Sequence, residues 1–122
     1  MRFPFLPRTI LTPADSFRGA PPVAVAEVVR FRTSQDIDDA DFLAKARTTE
    51  GLVRAQPGFR ARYLIRADDG VWTDFVIWES AACARAAAAA VMQAAEFAPF
   101  IAAIDVSSIE MSHQPVCWSM DG

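Results

Sequence analysis

No stretch limits this chain more than residues 71–78, VWTDFVIW. Side chains alternate across a strand, so Trp72, Asp74, Val76 and Trp78 share one face while Val71, Thr73, Phe75 and Ile77 share the other. Both faces are bulky and apolar, and such a strand needs cover on both sides. The run follows Asp68-Asp69-Gly70, a strong turn signal. Before that turn, residues 61–67 (ARYLIRA) alternate Tyr63 and Ile65 against Arg62, Leu64 and Arg66. Two extended runs joined through Asp-Gly predict a hairpin.

The remaining elements group around that hairpin. Residues 23–32, VAVAEVVRFR, are β-branched and apolar and follow Pro21-Pro22, which predicts a first strand with Val23, Val25, Glu27, Val29 and Phe31 on one face. Cap-type Ser34, Asp36 and Asp38 come next, and Phe42, Ala46, Thr49 and Val53 recur at steps of three or four, which predicts a helix over 38–55. Gln56-Pro57-Gly58 ends it, since proline lacks an amide and glycine tolerates a positive φ. The alanine-built segment 81–95, capped by Glu79-Ser80, predicts a second helix. Pro99 should restart that helix as a short turn carrying Phe97, Phe100, Ile101 and Ile104. A last strand is expected over 106–113 (VSSIEMSH). The order β, α, β, β, α, β is that of an α+β, ferredoxin-like fold, a four-stranded antiparallel sheet with both helices on one face. The domain spans 23–115 and carries an N-terminal arm over 1–22 and a tail over 116–122. Prolines at 4, 7, 13, 21 and 22 forbid a targeting helix in the arm, and its apolar side chains, such as Phe3, Phe5 and Phe17, are expected to lie on the body or on a partner.

Charge and motif content narrow the function. The net charge is -3, which leaves no excess positive potential for a phosphate backbone, and nucleic acid is excluded as a partner. No apolar run is long and uncharged enough to span a bilayer, and a cytoplasmic protein is expected. Cys83 and Cys117 match no ligand or redox spacing and read as free thiols in a reducing compartment. Phosphate-binding glycine loops, serine-hydrolase elbows and metal clusters are absent from the sequence, so no metal or cofactor is expected. The sheet face that the helices leave uncovered is expected to carry the tryptophans, and a closed two-fold homodimer is the simplest way to bury it.

From about Ala24 to Pro115 the chain resembles the dimeric α/β-barrel superfamily, in particular its small antibiotic-biosynthesis-monooxygenase-like members. The resemblance is carried by the Gln56-Pro57-Gly58-Phe59 turn, the Asp68-Asp69-Gly70 hairpin, the strand ending Val76-Ile77-Trp78-Glu79-Ser80, the alanine-rich helix, and Phe97 to Ile104 leading into the last strand. It implies a dimer with an interior, or a cleft between sheet and helices, able to hold a flat aromatic or polyketide-like molecule. Members that oxidise polyketides or open haem use an Asn and Trp constellation, and the haem-degrading ones add a helix-borne histidine. This chain has no asparagine, and its one histidine, His113, falls on the last predicted strand. Haem degradation by the usual residues is therefore not expected.

Candidate site residues follow from the two faces. Trp72 and Trp78 could stack a planar ligand while Asp74 takes a proton from it; alternatively the tryptophans pack at a dimer interface and Asp74 pairs with Arg62 or Arg66. His113 could serve as an acid or base, because imidazole exchanges protons near neutrality, or it could be a half-exposed strand-end residue. Glu27 and Glu110 are strand carboxylates that would be unusual if turned inward and ordinary if paired with Arg30 or Arg32. Asp74 and His113 are thus the catalytic candidates, with Trp72, Trp78, Tyr63 and Glu110 as ligand-binding candidates. Three functions stay open: a monooxygenase-like protein acting on a planar aromatic, a non-enzymatic dimeric module with a filled interior, and a cofactor-free isomerase, decarboxylase or cyclase.

Overall fold

A computed structural model describes residues 23–121. The expectations for the N-terminal arm therefore lie outside the described residues. Strand β1 (Val25–Thr33) leads into helices α1 (Asp39–Arg47) and α2 (Glu50–Arg54), then into the hairpin of β2 (Phe59–Arg66) and β3 (Trp72–Trp78). Helix α3 (Ala81–Met92), a 3-10 turn (Ala95–Phe97), helix α4 (Ala98–Ala102) and strand β4 (Ile104–Pro115) complete the chain. The sheet is antiparallel with the order β2-β3-β1-β4, the expected α+β, ferredoxin-like arrangement.

The helices start where cap chemistry starts them. Asp38 accepts a hydrogen bond from the Asp41 amide at 2.8 Å, and Ser80 accepts one from the Cys83 amide at 3.1 Å. Pro99 sits in the first turn of α4, where its missing amide costs nothing. The single helix expected over 38–55 is broken. The hydroxyls of Thr48 and Thr49 donate to the carbonyls of Lys45 and Ala46 at 2.7 and 2.6 Å, competing with the backbone for those acceptors, and the chain restarts as α2. Gly58, with φ 83°, makes the turn into β2; a Cβ there would stand 2.5 Å from Sγ of Cys83, so both the backbone and the packing require glycine.

One expectation is reversed. Trp72, Asp74, Val76 and Trp78 face the helices instead of turning away from them, and the opposite face of β3 carries Thr73, Phe75 and Ile77. The packing shows this directly. Trp72 lies in a cluster with Phe31, Phe42, Phe100, Ala103 and Ile104, and Trp78 and Val76 pack with Val53, Ala84 and Ala87. Phe42, fully buried, touches the rings of Phe31, Trp72 and Phe100 at centroid distances of 5.7, 4.9 and 5.3 Å. The reason is size. Helices rich in alanine approach the sheet closely only if the sheet supplies the volume, and indoles supply more than Phe75 or Ile77 can.

Candidate functional site

The helix-covered face of the sheet is not purely apolar. Asp74 is buried beside Trp72, and both of its oxygens accept from Arg62: Nε to Oδ1 at 3.0 Å and Nη2 to Oδ2 at 2.8 Å. Nη1 of Arg62 donates to the hydroxyl of Thr49 at 2.8 Å, and that hydroxyl donates onward to the Ala46 carbonyl. The guanidinium also lies 5.4 Å from the ring centroid of Phe100, within cation–π range. With the Arg62 and Asp74 side chains only 15% and 11% exposed, a two-point ion pair of this kind fixes the guanidinium in one orientation.

Local sequence explains how Arg62 gets there. The β2–β3 register slips by one residue between Phe59 and Ala61, so Arg60 is the extra residue of a β-bulge. Phe59, opposite Trp78, and Arg62, opposite Val76, consequently both point to the helix side although they are three residues apart. Simple alternation would have sent one of them to the other face. Phe59 meets the Trp78 ring edge-on at 5.8 Å, and Arg62 reaches Asp74 diagonally across the hairpin.

A groove of about 450 Å³ opens between α1, α2 and β2. Leu43, Val53, Phe59 and Leu64 give it apolar walls, Tyr63 and Arg60 stand at β2, and Arg62 joins the groove to the buried Asp74. A second groove, about 880 Å³, lies between α1 and α4 and carries Asp36, Asp41, Lys45 and Glu96. Neither groove is lined by Trp72, Asp74 or Trp78, since Trp72 is packed by the phenylalanine cluster, Asp74 is held by Arg62, and Trp78 is packed by Val53, Phe59, Ala84 and Ala87.

A second buried polar group sits across the sheet. Glu27 on β1 and His113 on β4 are paired in register, with Nε2 of His113 2.9 Å from Oε2 of Glu27, and Nε1 of Trp78 lies 3.4 Å from Oε1. The His113 side chain is 6% exposed, so the half-exposed strand-end alternative is replaced by burial under the helices. Nε1 of Trp72 is buried without a hydrogen-bond partner among the described residues. The two catalytic candidates are not brought together: β1 separates Asp74 on β3 from His113 on β4, and Asp74 offers no oxygen that Arg62 does not already occupy. Tyr63 is exposed on the uncovered face and borders the groove. Glu110 makes the ordinary cross-strand pair with Arg30, at 3.9 Å and largely in solvent.

Sequence reasoning named Arg62 only as one alternative partner of Asp74, and did not single out Thr49, Arg60 or the Glu27–His113 pair. Signals for some of these were present. A threonine in the apolar stripe Phe42, Ala46, Thr49, Val53 marks a buried hydroxyl, whereas the pairing of Glu27 with His113 follows from the sheet order that sets β1 beside β4. The bulge had no such signal. Among the described residues no group of His, Cys, Asp and Glu could hold a metal ion, and no helix is long and apolar enough to cross a membrane.

Several solved structures share this fold. A variant of SnoaB, a cofactor-independent oxygenase from Streptomyces nogalater, superposes with a TM-score of 0.62 at 21% identity, covering 81% of this chain and 98% of that one. The ActVA-Orf6 monooxygenase of Streptomyces coelicolor, solved with the ligand nanaomycin D, gives a TM-score of 0.59 at 18% identity, covering 82% and 93%. A protein of unknown function from Nitrosomonas europaea gives 0.61 at 16% identity, covering 82% and 95%. By sequence, no family model and no curated protein matches the chain. At these identities the likeness shows that the chain shares the α+β, ferredoxin-like fold of these proteins and leaves the activity to the site.

Proposed function

We propose that this chain is a small-molecule-modifying protein of the antibiotic-biosynthesis-monooxygenase-like type, which oxygenates a planar aromatic or polyketide-like substrate without a cofactor. The observation that carries the reading is the groove beside β2, of ligand size and with apolar walls, which has among its lining residues Arg62, whose guanidinium is rigidly held. The neighbours named for oxygenase activity and for a bound nanaomycin support it at the level of fold.

The chemistry asks little of the protein. A tricyclic anthrone becomes reactive toward dioxygen once its ring CH2 gives a proton to water and leaves the enolate, because the anion gives up electrons far more readily than the neutral molecule. Arg62 stabilises that developing oxyanion, and it does so without reorganising, since Asp74 and Thr49 already hold it in place. The balanced reaction turns a ring CH2 and O2 into a ring carbonyl and water. Asp74 is here a positioning residue for Arg62, and the Glu27–His113 pair organises the far half of the sheet.

The same reading includes a two-fold homodimer. On the uncovered face Tyr63, Phe75 and Val28 form one row across the sheet, and Ala61, Ile77 and Ala26 form the next. Tyr63 and Ile65 are each 59% exposed there, an apolar surface that a second copy would cover. Sedimentation at micromolar concentration tests this, and a persistent monomer would remove it.

Oxygen uptake measured with an anthrone tests the activity. One mole of O2 consumed per mole of quinone formed is expected, with Arg62→Lys slower by at least tenfold because a point charge cannot make the two-point contact with Asp74. Binding of the anthrone in the groove without oxygen uptake would overturn the oxygenase reading and favour the non-oxidative alternatives.

A further inference from the structure

The second groove, between α1 and α4, differs in charge from the groove beside β2. Ile37, Ala44, Pro99 and Ala102 give it apolar walls, and Asp36, Asp41 and Glu96 stand around it. Lys45 is the only cation among the described residues that line it. None of the three carboxylates has a cation within 4.0 Å among the described residues, and all three are exposed. The groove beside β2 is the reverse, with Arg47, Arg54, Arg60 and Arg62 against the carboxylate of Glu50. On the uncovered sheet face Arg30 and Glu110 answer each other. An apolar occupant carrying positive charge therefore matches the α1–α4 groove better than either of the other two surfaces.

The chain itself contains such a segment. Residues 1–22, which precede the described ones, hold Arg2, Arg8 and Arg18 against one carboxylate, Asp15, although the whole chain stands at -3. Within them residues 5–11, FLPRTIL, set Arg8 among Phe5, Leu6, Ile10 and Leu11. Prolines at 4, 7 and 13 lack amides and fix φ. The stretch is thus suited to lie extended along helices, whose backbone groups are already paired, and poorly suited to extend a sheet edge. Reach selects the same residues. The described chain starts at Val23, at one end of β1, and the groove begins beyond the other end, at Ser34, whose amide donates to the Ala103 carbonyl at 2.9 Å. From Val23 to Ser34 is roughly 35 Å of extended strand, so an arm returning to the groove uses about 11 residues on the way. Arg18 falls short, and residues 5–11 arrive.

We infer that residues 5–11 of the chain's own N-terminal arm dock in the α1–α4 groove, with Phe5, Leu6, Ile10 and Leu11 on its apolar walls and Arg8 among Asp36, Asp41 and Glu96. The apolar contact supplies most of the affinity, since exposed ion pairs contribute little, and the charges select this groove over the cationic one. The α1–α4 groove is then a surface that the chain closes for itself, and the groove beside β2 stays open to small molecules.

Nuclear magnetic resonance of the full chain tests it. NOE contacts are expected from the Phe5 ring and the Ile10 methyls to the methyls of Ala44 and Ala102. Trypsin supplies a second reading, because it can cut after Arg8 inside the docked stretch and after Arg18 outside it. Early in digestion the Arg8 bond is expected to be cut at least tenfold more slowly than the Arg18 bond. Glu96→Arg should shrink that difference at least threefold, whereas Glu110→Arg, which makes the same change of charge on the uncovered sheet face, should leave it as it is. Both carboxylates are exposed, so neither replacement endangers the fold. NOE contacts from the arm to Phe75 or Ile77 instead, or equal cutting of the two bonds, would overturn the docking site. In a sample mixed from labelled and unlabelled chains, the same contacts seen between molecules would put the arm in a second copy's groove and overturn the same-chain assignment.

Discussion

The two faces of this one sheet solve the burial problem in opposite ways. The helix-covered face packs the large aromatic side chains Trp72, Trp78, Phe31 and Phe42, and threads two polar pairs between them, the Arg62–Asp74 ion pair and the hydrogen-bonded Glu27–His113. The uncovered face holds Val28, Phe75 and Ile77 and no tryptophan of the sheet, together with the exposed Tyr63 and Ile65, and its ion pair, Arg30–Glu110, lies in solvent. The difference teaches that the sheet's own fold is stabilised on the indole side, while the other side keeps apolar side chains exposed and is the surface on which the proposed association would act.

The largest effect should come from the centre of the covered face. Phe42→Ala removes a fully buried ring touching three others and is expected to cost about 3–5 kcal/mol in urea unfolding. Asp74→Ala leaves a mostly buried guanidinium without its counterion and is expected to cost about 3 kcal/mol, toward the lower end for a broken buried pair because some water reaches Arg62. A loss below about 1 kcal/mol would show that water already solvates that pair. Ile77→Asp changes the other face. It should raise the dimer dissociation constant at least a hundredfold while leaving monomer unfolding within about 1 kcal/mol of the parent, and an unchanged dimer would place the association surface elsewhere. Trp78→Asp now serves as the contrast to it. With Trp78 buried under the helices it should unfold the monomer, where the sequence alone pointed to loss of association. The smallest effect is expected at Asp39→Ala, which breaks the exposed bridge to Arg66 on the same strand as Arg62. Thermal and urea unfolding should move by less than about 1 kcal/mol, so a larger change would mean that exposure is not what separates the two pairs.

Much of the fold was legible because its signals are local. The Asp68-Asp69-Gly70 turn, the Ser80 cap and the alternation in β1, β2 and β3 each depend on a few adjacent residues, and all appear in the structure. The break at Thr48-Thr49 was not, because a threonine hydroxyl that donates backward to a helix carbonyl looks from sequence like any helical threonine. The candidate site was legible in part. Asp74 was identified together with its possible pairing to Arg62, but the groove that Arg62 serves depends on the bulge at Arg60, and register slips leave no periodic trace.

What the amino-acid order determined by itself was the element sequence, the antiparallel hairpin, and the need of strand β3 for cover on both sides. Which side of β3 receives the helices was decided only in three dimensions. Alternation defines two faces and cannot rank them, and the choice went to the tryptophans because closely packed alanine helices leave a volume that only the larger side chains fill. The same tertiary choice carried Asp74 inward and drew Arg62 after it, since a carboxylate buried there needs a partner able to satisfy both of its oxygens.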